Sequence, residues 1–331
     1  MSGPDETGVR ARREAVLAAL VSAGAAGLSG EVLAARLGCS RAAIHRHVEA
    51  LRRGGTEVIG ERDGYRLADD ADPIVASAIT DRLRPPVAGP LRWLVETGST
   101  NDDLAAEARA GAPEGLVIGA DLQHAGRGRR GRRWVSAARD ALLFSVLLRP
   151  AVAPVDAGLL PIVAAVAVAR ALGERARIVW PNDILIDATK VCGILCEMSA
   201  DQERVAWALV GIGVNVRGAP ALTDARWAAG SLAQAGDRRT RADVLSAALV
   251  ELGDAYRGWL SDGGAAVRDE FARRDALRGR SVRITLADHD IDGICEGIDE
   301  LGRLLVRVDG RRRALASGEV TRVSGISPRE G

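Results

Sequence analysis

Residues 125–134 read AGRGRRGRRW, five arginines and three glycines closed by a tryptophan. Gly126, Gly128 and Gly131 let backbone N–H groups come close to an anion, and Arg127, Arg129, Arg130, Arg132 and Arg133 supply planar donors suited to phosphate or carboxylate. Trp134 can stand beside them as an aromatic wall. The segment is not a Walker loop, because G-K-[ST] is absent, and taken alone it fits a phosphate cradle and a nucleic-acid contact equally well. Five like charges so close together repel, which predicts a lid that orders only when an anion gathers them. The second chemical clue is Lys190: of 45 basic residues 44 are arginine, and this is the one lysine. Either the position requires a compact ammonium or one lysine has survived by chance.

The totals narrow the field. A chain of 331 residues with 47% apolar content predicts two or three folded domains, and a net charge of +1 leaves any nucleic-acid role to local patches. Cys39, Cys192, Cys196 and Cys295 form no C-x-x-C pair, so neither a zinc site nor a disulfide framework is expected. The opening MSGPDETGVRARREAV has no signal-peptide core, and the longest apolar run, 157–169, is too short to span a bilayer. A reduced, cytoplasmic protein with no membrane partner is the expectation.

The elements that must position these residues follow from periodicity. GLVIGADLQ (115–123) reads as a strand entering the arginine segment and ALLFSVLLRP (141–150) as one leaving it. PIVAAVAVARAL (161–172) reads as a buried helix, and 176–187, 190–199 and 205–216 as three successive strands, giving a sheet with helices on one side. Beyond residue 276, short strands parted by Asp-Gly and Leu-Gly turns predict a small β-barrel.

The first seventy residues have a different pattern. A helix over 10–22 carries Val16, Leu17, Leu20 and Val21 as its stripe; Ser29 caps a second with Val32, Leu33 and Leu37 inward; Gly38 ends it and Ser40 caps a third with Ala43, Ile44, Val48 and Leu51 inward. With a strand, a turn at Arg62-Asp63-Gly64 and a second strand, this is a winged helix-turn-helix. From Val9 to Arg66 ten arginines face six acids, a local charge of +4. Arg41, Arg46, Arg52 and Arg53 suit phosphates, while Arg41, Ala42 and His45 near the cap at Ser40 are placed to meet base edges. A winged helix used for protein contacts remains the alternative. Acids and prolines over 69–90 mark a linker, so the expected domains are 1–68, the linker 69–90, a catalytic domain 91–275 and a barrel 276–325.

ETGSTNDD (96–103), LQHAGRGRRGRRW (122–134), WPNDILI (180–186), KVCGILCE (190–197) and GIGVNV (211–216), in this order, resemble the biotin protein ligases. With the N-terminal module the chain looks like the bifunctional branch, in which the ligase also represses the biotin operon. The resemblance covers about residues 10–325. It implies an α+β fold: an N-terminal winged helix-turn-helix, a central mixed β-sheet with helices like that of class II aminoacyl-tRNA synthetases and biotin ligases, and a small SH3-like C-terminal β-barrel. It further implies that biotin and ATP, with Mg²⁺, give biotinyl-5′-adenylate, whose biotin passes to one lysine of a biotin carboxyl carrier protein.

The implied roles can be stated residue by residue. Ser99, Thr100, Asn101 and Gln123 surround the ureido ring, with helix capping as the other reading of Ser99 and Thr100. Arg127, Gly128 and Arg129 wrap the biotin carboxylate and α-phosphate, Arg130 and Arg132 add to the nucleotide contacts, Trp134 packs on adenine and Asn215 meets its edge. Lys190 bridges carboxylate and phosphate as the catalytic cation, with Arg127 assisting. Asp183 orients the acceptor amine or takes its proton, unless it caps a turn. No metal ligand is assigned. One departure concerns SGEV, after which relatives place an ATP-reaching arginine at the third residue; here Val323 holds that place and Arg322 precedes it, which predicts that Arg322 faces away from ATP. The same resemblance implies a homodimer, formed through the central sheet when the adenylate is bound, on palindromic operator DNA. The competing readings are a lipoate or octanoate ligase, a regulator whose ligase domain only senses ligand, and a ligase whose winged helix no longer binds DNA.

Overall fold

The computed structural model describes residues 4–324 apart from 62 and 222–226. It divides into two compact units, Met1–Asp81 and Arg82–Gly331.

In the first unit, helices α1 (Pro4–Ala23), α2 (Gly30–Leu37) and α3 (Arg41–Arg53) precede the hairpin β1 (Val58–Glu61) and β2 (Gly64–Leu67) and a short α4 (Ala76–Thr80). Ser29 and Ser40 accept hydrogen bonds from the N–H groups of Val32 and Ala43, at 3.1 and 3.2 Å, and start α2 and α3. Gly38 closes α2 at a left-handed φ of 59°, a conformation that costs a side chain dearly. Val16, Leu20, Leu33, Ile44 and Val48 form the core. Val21 and Val32, expected inward, are 45% and 46% exposed. The inward stripe is narrower than the apolar pattern suggests, because Leu20 and Leu33 fill it and the next residue around the helix points to solvent. The ladder ends at Glu61↔Gly64; Arg62 of the expected turn lies outside the described residues. The expected linker is partly structured, since Ile79 of α4 is buried and the Ser77 N–H donates to Glu14 at 2.7 Å.

His47 of α3 is buried with no carboxylate among the groups acting on it. Burial first, then the charges of Arg13, Arg12 and Arg46, holds its pKa below the usual 6.5. A depressed folded-state pKa contributes stability above the unfolded value that is lost as pH falls through the folded one. Amide protection of α3, measured by hydrogen exchange, should therefore decline as pH drops from about 7 to about 5, and His47→Gln should flatten the profile. Equal profiles in the two proteins would remove His47 as the cause.

The second unit is built on a seven-stranded mixed sheet of order β3-β4-β5-β9-β8-β7-β6. Its elements are β3 (Leu91–Thr97), α5 (Thr100–Arg109), β4 (Val117–Gln123), β5 (Ala141–Leu148), α6 (Leu160–Leu172), β6 (Arg177–Val179), β7 (Asp183–Ile186), β8 (Thr189–Ala200), β9 (Val205–Asn215), α7 (Arg241–Asp262) and α8 (Ala265–Arg274). Only β3 and β4 pair in parallel, and the other strands pair antiparallel. The stretch 176–187, expected as one strand, is a hairpin turning at Trp180-Pro181-Asn182, because proline has no N–H to give a ladder. Helices lie on both faces, not one. Ser145 of β5 bonds to Thr100 and Asn101 of α5 on one face, whereas Arg241 at the head of α7 reaches Asp121 of β4 on the other, where α6 packs on α7.

The C-terminal part carries an antiparallel sheet of order β13-β12-β11-β10-β14, formed by β10 (Ser281–Thr285), β11 (Asp290–Ile298), β12 (Leu304–Val308), β13 (Arg311–Leu315) and β14 (Glu319–Val323). Among the described residues no helix is long and apolar enough to cross a membrane.

Candidate active site and nucleic-acid face

Strand register decides what faces α5. Residues Gly211, Gly213 and Asn215 of β9 pair with Ser145, Leu143 and Ala141 of β5, and Gly193 of β8 pairs with Gly213, so all share the α5 face. A side chain at Gly193 or Gly213 would meet the Trp134 ring at 2.8 or 2.6 Å, and one at Gly211 would collide with the Asn101 amide. The glycines thus form a flat floor, and the arginine loop folds back over it. A cavity of about 410 Å³ results, a size suited to a small-molecule substrate.

One end of the cavity is neutral and polar. The Thr100 N–H donates to Gln123 Oε1 at 2.7 Å, Thr100 Oγ1 lies 2.7 Å from Ser145 Oγ, Ser145 donates to Asn101 Oδ1 at 2.5 Å and Asn101 donates to Glu197 at 2.7 Å. Ser99 stands at the N-cap position of α5, yet its side chain makes no capping bond, so the structural alternative for this residue is not realised.

The other end is cationic and aromatic. Lys190 Nζ lies 2.7 Å from the buried Asp183 carboxylate and 5.9 Å from the centre of the Trp134 ring. Among the described residues, two cavity-lining groups are buried without a hydrogen-bond partner, Trp134 Nε1 and Asn215 Oδ1, although the Asn215 amide also donates to Gly230 O at 2.9 Å. Such groups are costly unless a ligand completes them.

The loop is not the free strap that its charge pattern predicts. Arg127 makes a two-pronged pair with Glu197 and a further bond to Asp102, all at 2.7 Å, and the Glu197 bonds first hold its pKa above the usual arginine value. Arg132 pairs with Glu319 at 2.7 Å, and Arg133 donates to His124 O at 2.9 Å. Carboxylates distant in sequence supply the compensation that the local sequence lacks. Arg130 is a correction: it does not line the cavity. Its left-handed φ of 57° turns the side chain toward the C-terminal sheet, where it donates to Thr285 O at 3.0 Å. Arg129 makes contacts no closer than 3.4 Å and has a pKa pulled down by burial. With Arg133, whose bond is to a neutral carbonyl, it lines the cavity without a close carboxylate partner among the described residues, poised for a ligand's charge.

Arg322 does not line the cavity either. The ladder steps from Arg283↔Arg322 to Ile284↔Val320, leaving Thr321 as a bulge; Thr321 and Arg322 both face solvent and Val323 is buried.

On the winged helix, Arg41, Ala42, His45 and Arg46 form an exposed face at the start of α3, with Arg53 exposed at its end. His45 Nδ1 lies 3.3 Å from the hydroxyl of Tyr65 on the wing. One expectation changes: Arg52 is half-buried, donating to Val58 O at 2.9 Å and Glu49 at 2.6 Å, and so braces the wing. The Ser40 hydroxyl caps α3 as its position predicts, and that bond occupies it beside the exposed face.

Comparison with known proteins agrees with this geometry. The Biotin/lipoate A/B protein ligase family model matches residues 97–215, an HTH domain model residues 12–66, and the Biotin protein ligase C terminal domain model residues 278–322. Bifunctional ligase/repressor BirA of Bacillus subtilis is 34% identical over 302 residues, spanning 88% of this chain and 93% of that protein. The chain belongs to the biotin protein ligase family. The Escherichia coli protein of the same name is 32% identical over 88% of this chain and 92% of its own. The structure of biotin protein ligase from Aquifex aeolicus in complex with biotin and ATP superposes with a TM-score of 0.61 at 28% identity, covering 71% of this chain and 99% of that one.

Within this member of the family, sequence reasoning missed Ser145, Asn182, Glu197 and Trp227. The latter three line or brace the cavity, and Ser145 anchors its polar end. Ser145 was discoverable as the one hydroxyl in the apolar run ALLFSVLL, as was Glu197 as the one acid of its strand.

Proposed function

We propose that this chain is a biotin protein ligase that activates biotin with ATP, transfers it to a carrier-protein lysine, and represses transcription through its winged helix. The observation that carries the reading is the convergence of Lys190 and the under-compensated Arg129 in one cavity whose far end is a neutral hydroxyl–amide cluster. Ser99, Thr100, Asn101 and Gln123 hold the ureido ring by neutral hydrogen bonds, which sends the valeryl carboxylate toward the cations. That carboxylate attacks the α-phosphorus of ATP and pyrophosphate leaves; Mg²⁺, where bound to the nucleotide, would offset the charge of the departing phosphates. No serine or cysteine nucleophile is needed, because the substrate brings its own; the protein aligns two mutually repelling anions and stabilises the charge of the transition state. Lys190, steered by Asp183, lies between them, with Arg127 and Arg129 on the carboxylate and phosphate. Arg132 completes the nucleotide contacts.

Trp134 stacks on adenine, and Asn215 Oδ1 accepts from its exocyclic amine. In the second step the carrier's lysine amine attacks the acyl carbon, AMP leaves, and Asp183 orients the amine or takes its proton. The adenylate is also the corepressor: it favours a homodimer through the central sheet, which sets two winged helices on a palindromic operator. Consumption by carrier protein relieves repression.

Incubating a biotin carboxyl carrier domain with the protein, biotin and MgATP should add the mass of one biotin to one lysine; an unmodified carrier would sink the ligase reading. Gly213→Ala should leave the fold intact but push Trp134 off its seat at a strain of about 1–3 kcal/mol. Isothermal titration should then show ATP binding weakened by about tenfold, while unchanged ATP affinity would contradict the stacking role of Trp134.

A further inference from the structure

Glu197 of β8 does not line the cavity, yet it holds a residue at each of its ends. Its Oε1 accepts from Arg127 Nη1, and its Oε2 accepts from Arg127 Nη2 and from Asn101 Nδ2, each at 2.7 Å. With both oxygens accepting, the carboxylate offers Asn101 no hydrogen. The Asn101 amide therefore turns its NH₂ to Glu197 and its Oδ1 to Ser145, which donates to it at 2.5 Å. A hydroxyl has one hydrogen to give. Ser145 has spent its own on Asn101, so in the 2.7 Å contact with Thr100 Oγ1 it is the acceptor and Thr100 the donor. The Thr100 hydrogen has a second possible acceptor, Gln123 Oε1, but this is farther away at 3.1 Å and already receives the Thr100 N–H at 2.7 Å. Thr100, Asn101 and Ser145 are all buried, so water does not scramble this order.

We infer that Glu197 is a positioning residue for the neutral end of the cavity: through Asn101 and Ser145 it orders the hydrogens of the chain, so that Thr100 Oγ1 and Gln123 Oε1 both meet a ligand as acceptors. The inference rests on that end receiving the ureido ring. Both residues line the cavity, and two oxygens 3.1 Å apart with no hydrogen between them suit one shared N–H, the donor that a cyclic urea carries beside its carbonyl. Arg127 supplies two of the three bonds that fix the carboxylate, so one side chain joins the cationic loop to the neutral end. Glu197→Gln reverses the order. Of the two unlike ends of the new amide, the oxygen goes to the guanidinium and the NH₂ is left facing Asn101. Asn101 then turns over and donates to Ser145, Ser145 donates to Thr100, and the Thr100 hydrogen fills the gap to Gln123 Oε1 that the ligand N–H needs.

The test is isothermal titration of the full-length protein with biotin, with the primary amide of biotin and with ATP, in wild type, Glu197→Gln, Ser145→Ala and the double variant. Both substitutions nearly keep the side-chain volume. Glu197→Gln should weaken biotin and its amide alike by about tenfold, the worth of one well-made hydrogen bond. The amide brings no carboxylate to Arg127, so a loss confined to biotin would mean that Glu197 acts through the guanidinium alone, and it overturns the ordering role. Ser145→Ala cuts the chain, and the double variant should therefore bind no worse than Ser145→Ala itself. A further loss of about tenfold in the double variant, the additive result of a merely structural residue, overturns the inference too, as does wild-type affinity in Glu197→Gln. ATP affinity should stay at the wild-type level throughout; a parallel fall would mean that the substitution harms the cavity at large and that the ordering role is wrong. If wild type binds no biotin, the ureido reading itself fails, which separates that failure from the failure of Glu197 to position.

Discussion

Pyrophosphate exchange by Lys190→Ala should run about 10²–10³ slower than wild type at saturating biotin and ATP, the loss typical of one missing transition-state donor. The size follows from position. The ammonium is held at 2.7 Å by Asp183, whose side chain is buried in the strand that follows the Trp180–Asn182 turn, so it is aimed before substrate arrives and pays little reorganisation when charge develops. Biotin affinity should change much less, because in the proposed pose the ureido end meets Thr100, Asn101 and Gln123 and not the ammonium. Asp183→Asn separates its two roles: lost transfer with adenylation retained marks a base for the acceptor amine, whereas parallel loss marks a residue that only steers Lys190. A Lys190→Ala protein exchanging pyrophosphate at the wild-type rate would take the ammonium out of the chemistry.

Operator affinity should fall by no less than about 10³ between about 50 and about 200 mM salt. Arg41, Arg46 and Arg53 are exposed on α3, and the proposed dimer would present about six such cations, for a log–log slope near five. Arg52 adds nothing, because its guanidinium is spent on Glu49 and the Val58 carbonyl. Binding should also require biotin and ATP together. A shift that is indifferent to biotin, or nearly flat in salt, would leave the winged helix as a protein-contact module.

Local pattern carried most of the architecture. Ser29, Gly38 and Ser40 punctuate the helix-turn-helix within a dozen residues, and caps of this kind act locally. The T-R-A-D run at 240–243 was equally legible and went unused, yet it forms the capping box that starts α7. Which residues gather round the cavity was readable where a residue type stands out, as with Lys190 and the arginine loop. It was unreadable where a role depends on a distant partner. Nothing near residue 127 announces Glu197, nothing near residue 132 announces Glu319, and so a loop that sequence alone makes self-repelling is in fact partly neutralised. Arg130 was misplaced for a related reason: its left-handed backbone redirects the side chain, and composition does not reveal φ.

The single lysine has one more implication. Acyl-adenylates that escape an active site acylate whatever primary amines they meet, and a protein surface is ordinarily rich in them. Here the only ε-amino group is that of Lys190, paired with Asp183 and set inside the cavity, while the other 44 of the 45 lysine and arginine residues are arginines, with no nucleophilic amine to offer. The catalyst is thereby spared its own reactive product, and after many turnovers in the absence of carrier its intact mass should show no accumulated self-labelling on side chains.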